Sequence, residues 1–161
     1  MGVTYTEPSE LSALNLPELA ARLRSIVNEA QERMLKEFND ESASKPCQPG
    51  KWSRKQILGH LIDSAANNHQ RFVRLQLEPV LALPGYEQAG WARVQYAQER
   101  TWAELIEFWA SYNLYLAHVI ERIDPATLGH VWEHEGENWT LGFIVEDYIA
   151  HLQHHLRQIL N

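Results

Sequence analysis

Apolar residues recur at steps of three and four in four separate stretches of the chain, the spacing of helices with one buried face. In the first, Leu19, Leu23, Ile26, Val27, Ala30, Met34, Leu35 and Phe38 interleave with Arg22, Glu29, Gln31, Glu32, Lys36 and Glu37, which predicts a helix over about 16–39. Asn15-Leu16-Pro17-Glu18 supplies its start: a capping side chain, an early proline and a Glu at the third helical position. Ser53-Arg54-Lys55-Gln56 opens a second helix that runs to about Gln76, ahead of Pro79. Thr101-Trp102-Ala103-Glu104 opens a third, in which Trp102, Leu105, Trp109, Tyr112, Leu116, Val119 and Ile123 lead to a stop at Asp124-Pro125. A fourth runs from about Thr140 to the end of the sequence.

The connections are uneven. Residues 40–52 carry Pro46, Pro49 and Gly50 and cannot continue the first helix. Residues 78–100, with Pro79, Pro84, Gly85 and Gly90, form a long connection that has room for a turn of helix around 91–96, and connections of this length serve as lids or partner surfaces. Residues 124–139 hold Pro125, Gly129 and Gly136, and Val131-Trp132-Glu133-His134 reads as a short strand or a plain loop. The first 14 residues lack periodicity and form a lead-in segment. The expected architecture is all-α, a single four-helix-bundle domain over 15–161.

Composition narrows the function classes. The chain has 161 residues, 45% apolar and 22% charged, enough for one core. Fourteen Lys and Arg against 21 Asp and Glu give a net charge of −7, and without a basic block this argues against a nucleic-acid partner. The single cysteine, Cys47, has no internal disulfide partner, and the first residues show no signal-peptide pattern, so a cytoplasmic location is expected. No apolar run approaches the roughly 20 residues that span a bilayer, so no membrane association is expected.

The chemistry is in the histidines, of which there are eight. His151 and His155 are four apart on the fourth helix and sit one above the other, a spacing that chelates one ion or forms an ordinary wet face. On a helical wheel His155 lies about 70° from the apolar centre, His151 about 110° and His154 about 170°, so the 151/155 pair can face the interior while His154 points outward. An open metal site needs a third donor, and His60, beside the apolar face of the second helix, is the obvious candidate. Ser64, Asn67 and Arg71 lie within about 40° of His60 and form a polar stripe that edges a cleft or a solvated flank. Along it, Asn67 is placed to hold a substrate and Arg71 to neutralise a substrate carboxylate; helix-to-helix hydrogen bonds or an exposed ion pair are the competing roles. His69 is expected to pack, and His118, His130 and His134 have no partner at ligand spacing.

Pro49-Gly50-Lys51-Trp52-Ser53, then Ile57-Leu58-Gly59-His60-Leu61, then a helix ending His151-X-X-His154-His155-X-X-Gln158-Ile159 resembles the DinB/YfiT-like superfamily of metal-dependent enzymes. The resemblance covers the chain from about residue 15. It implies an up-down-down-up four-helix bundle with one divalent ion, zinc or nickel, on His60, His151 and His155, the same three residues that the wheel selects. Relatives of the plain DinB type read His-Arg-Gly-Gln where this chain has His155-Leu156-Arg157-Gln158, which places it nearer the YfiT-like branch. The family includes hydrolases, S-transferases with a low-molecular-weight thiol as co-substrate, and an isomerase, so the implied function is a metal-dependent hydrolase or thiol-dependent S-transferase acting on a small molecule. No proton acceptor is assigned. A three-imidazole set lacks the Glu of a His-Glu-X-X-His protease. The reading from a different class is a non-catalytic helical-bundle binding or interaction module, and bis-histidine haem ligation across the bundle is a third. Leu81, Leu83, Tyr86 and Trp91 in the long connection, together with the resemblance, point to a homodimer, unless that segment folds back over its own bundle.

Overall fold

The computed structural model describes residues 14–161, so all of the expected lead-in segment except Leu14 lies outside the described residues. Four long helices carry the fold: α1 (Leu16–Glu37), α3 (Arg54–Leu77), α5 (Trp102–Glu121) and α6 (Leu141–Leu160). Each begins where a side chain accepts from an otherwise unpaired backbone amide. Asn15 caps α1, Ser53 and Thr101 cap α3 and α5 in full capping boxes, and Thr140 caps α6. Two short helices punctuate the connections, α2 (Asp40–Ser44) and α4 (Gln88–Val94). The sequence pattern marks a turn of helix near α4 but not α2, whose five residues are too few to show a period.

Tertiary contacts fix the helix directions. Trp102 at the start of α5 donates its indole N–H to the carbonyl of Met34 near the end of α1, while Arg24 of α1 pairs with Glu121 at the end of α5, so α1 and α5 are antiparallel. Arg54 at the start of α3 donates to the carbonyl of Ile159 at the end of α6, so these two are antiparallel as well. The chain leaving α3 returns to its starting end before α5 begins, because Gln98 donates to Ser44 O and Ala97 lies against Gly59. The result is an up-down-down-up four-helix bundle. Helices α3 and α5 point the same way, which explains the long connection: 24 residues of helix are about 36 Å long and the chain must travel back that far.

The connection does so with its apolar side inward. Leu81 is buried, and Leu83, Tyr86 and Trp91 are half-buried against the chain's own bundle. A three-stranded sheet closes the far end. β1 (Val80–Ala82) runs parallel to β2 (Val131–His134), which pairs with β3 (Glu137–Thr140) in a hairpin. The hairpin turns at Glu135 and Gly136, both with positive φ (52° and 82°), the left-handed pair that a tight two-residue turn requires. Residues 131–134 are therefore a strand. The core is one continuous cluster along the bundle axis, including Leu23, Met34, Leu58, Phe72, Trp109, Leu116 and Tyr148. No helix among the described residues is long and apolar enough to cross a membrane.

Candidate metal centre

The Ser53 cap sets the start of α3 and thereby places His60 two turns into the helix, on the side facing α6. Gly59 beside it lets the crossover approach: a Cβ there would come within 2.7 Å of Ala97 Cβ. His60 is 1% exposed. From α6, His151 and His155 face it from successive turns, both half-buried. The three rings are 4.6–5.2 Å apart between centroids and mutually edge-on.

One nitrogen from each ring lies within 4.8 Å of one nitrogen from each of the others. The Nε2 atoms of His60 and His151 are 3.3 Å apart. Bonds of 2.0–2.1 Å to one tetrahedral ion set their donors about 3.3–3.4 Å apart, so this separation fits a shared ligand sphere. Burial holds all three imidazoles neutral. His60 is pushed down to about 4 by burial and by the neighbouring His155, and His151 to about 3 by burial and the three surrounding histidines. His155 is also lowered by burial, with the Gln158 hydrogen bond opposing. Neutral imidazoles with convergent nitrogens are the form that ligates, and the donor set suits a divalent transition-metal ion. Trp52 covers one side, its ring 5.4 Å from that of His60.

Of the other histidines, His154 borders the group, its ring edge-on to that of His155 at 5.1 Å between centroids. His69 hydrogen-bonds Tyr112 at 3.0 Å, His130 donates Nδ1–H to Leu75 O, and His134 stacks on Trp132. His154 bonds the Gln158 side chain.

Asn67 and Arg71 follow His60 along α3 but differ in setting. Asn67 is half-buried and donates to Asp63 O on its own helix at 2.9 Å. Arg71 is 8% exposed, lies 3.8 Å over the Trp132 ring and donates Nη1–H to Asn68 Oδ1 at 3.1 Å. Its Nε is buried without an acceptor, and no carboxylate among the described residues lies within 4.0 Å. Among the described residues this buried guanidinium is in ion-pair contact with no carboxylate, and Asp147 acts on it only at longer range.

Sequence reasoning missed the acids and the phenol around it. Asp63 is buried with Oδ2 unpartnered, and burial raises its carboxyl to about 6. Tyr86, brought in by the crossover, is pushed up to about 12 by burial and by Asp63. Asp147 is raised by burial against the pull of Arg71. Asp147 was legible, since it stands one helical turn before His151 on the 147/151/155 stripe. Tyr86 was not, because only the path of the crossover puts it there.

Fold and site together define a class: an up-down-down-up helical bundle with three imidazoles gathered between two antiparallel helices. The chain belongs to the DinB superfamily, whose family model matches residues 20–159. Over 160 residues it is 23% identical to a protein of Geobacillus thermodenitrificans named "Putative metal-dependent hydrolase", covering 98% of this chain and 89% of that one. A protein of Bacillus licheniformis named in the same way is 22% identical over 158 residues, 97% of this chain and 89% of its own length. Among solved structures, YfiT from Bacillus subtilis, a "probable metal-dependent hydrolase with an unusual four-helix bundle topology", superimposes with a TM-score of 0.76. That match spans 96% of this chain and 89% of YfiT at 16% identity.

Proposed function

We propose that the chain is a metal-dependent hydrolase acting on a small molecule, with one divalent ion, zinc or nickel, held by His60, His151 and His155. The observation that carries this reading is the convergence of three neutral imidazoles within 4.8 Å of one another, one from α3 and two from α6. An ion held by these three imidazoles would supply an acidified water as nucleophile. The names of the relatives support hydrolysis.

The chain's own residues would do the rest. Arg71 offers a guanidinium that is in ion-pair contact with no carboxylate among the described residues and can take a substrate carboxylate. Asn67 can add a hydrogen bond if its amide leaves the Asp63 carbonyl.

Metal analysis of protein purified without a nickel column tests the reading. About one equivalent of zinc or nickel is expected, lost in His60→Ala, His151→Ala and His155→Ala while helix content persists. Less than about a tenth of an equivalent, with no tight rebinding, would leave a non-catalytic binding module instead. Activity on small esters or amides that appears only when a low-molecular-weight thiol is added would replace water by thiolate as the nucleophile.

A further inference from the structure

Gln158, on the last turn of α6, stands between two histidines. Its Oε1 lies 2.8 Å from Nδ1 of His155 and its Nε2 lies 3.2 Å from Nε2 of His154. The two contacts constrain one another. An amide oxygen only accepts and an amide nitrogen only donates, so His155 must donate through Nδ1–H and His154 must accept through Nε2. A neutral imidazole with its proton on Nδ1 carries its lone pair on Nε2. Because Gln158 occupies Nδ1, Nε2 is the nitrogen that His155 has left to offer. His60 and His151 already present their Nε2 atoms to each other.

The opposite arrangement shows what the amide does. Were Gln158 turned over, its N–H would point at Nδ1, the imidazole proton would move to Nε2, and His155 would offer a hydrogen where a lone pair is needed. His60 has no comparable support, for its Nδ1 is buried without a hydrogen-bond partner. The spacing is helical: Gln158 is three residues from His155 and four from His154, so it reaches both from one turn further along.

We propose that Gln158 is a positioning residue that holds His155 in the tautomer able to ligate a metal ion. The role rests on the metal reading of His155. Its physical logic is that of an outer hydrogen bond that orients a ligating imidazole, and losing one such partner typically lowers metal affinity 10–100-fold.

The test compares Gln158→Leu, which removes the acceptor, with Gln158→Glu, which keeps one. Zinc affinity is measured by chelator competition, and the His155 tautomer by nitrogen-15 spectra of the metal-free protein. The wild type should show the Nδ1–H form; Gln158→Leu should show a mixed tautomer and zinc affinity lower by about 10–100-fold, and Gln158→Glu should stay within a few-fold of wild type. Gln158 is exposed, and circular dichroism checks that each variant is folded. Zinc affinity within about threefold of wild type in Gln158→Leu would overturn the proposal, as would equal losses in the Leu and Glu variants. If the wild type itself binds no zinc, the metal reading falls separately. The spectra still decide the role of Gln158, because an unaltered His155 tautomer in Gln158→Leu overturns it.

Discussion

Burial moves the titration of several side chains in opposite directions, and the signs can be separated. His60 and His151 are depressed from 6.5 to about 4 and about 3, so between those values and 6.5 the folded metal-free chain binds fewer protons than the unfolded one. Their contribution to stability is complete above about 6.5 and is lost as pH falls towards 4 and 3. Asp63 runs the other way: raised from 3.8 to about 6 by burial, it binds more protons in the folded chain, and stability is lost as pH rises through that window. Asp63→Asn removes an ionised, incompletely hydrogen-bonded group from the interior. It should raise the melting temperature by about 5 °C at pH 8 and by less at pH 5, as read by circular dichroism melts. A loss of similar size at both pH values would mean that the carboxyl is already ionised at pH 5 and held by a favourable contact.

At the scale of elements, the approach of α3 to the crossover depends on the missing side chain at Gly59. Alanine is the better helix former by about 1 kcal/mol, yet its Cβ would sit 2.7 Å from Ala97 Cβ, a contact that only backbone movement relieves. Gly59→Ala should therefore destabilise the protein by about 1–3 kcal/mol, and adding Ala97→Gly should recover most of the loss, a coupling that a double-mutant cycle in denaturant measures. Additive losses would show that the crossover already yields at this point. The four long helices were legible because their periods and caps are local: the expected spans over 16–39 and 54–76 end within about two residues of the observed α1 and α3. The sheet was not. β1 has three residues and pairs with a strand some fifty positions later, so nothing near Val80 announces it. Helix phase turned His151 and His155 inward and offered His60 as a third donor, and the family resemblance joined the three, whereas the partners of Arg71 were not legible: the stripe drew attention to Asn67, while in the structure Asn68 bonds the guanidinium and Trp132 covers it.

For the whole molecule, the question is whether a metal ion would make the fold or merely fasten it. Helices α3 and α6 lie side by side although about ninety residues separate His60 from His151, and the capped helix ends and the core between them do not pass through the imidazoles. Leu58, Leu61, Ala65, Phe72 and Leu75 of α3 are buried, as are Val145, Tyr148, Ile149, Leu152 and Leu156 of α6, which is apolar contact enough to hold the pair without an ion. Metal removal should then leave far-ultraviolet circular dichroism unchanged and lower only the melting temperature. With free zinc at 100 times its dissociation constant, linkage gives about 2.7 kcal/mol, or about 5–10 °C for a domain of this size. The variant lacking all three imidazoles should melt at the same temperature with and without zinc. Loss of helix on chelation would instead assign the ion a structural part, and the site would then have to be essential to the bundle rather than added to one that already stands.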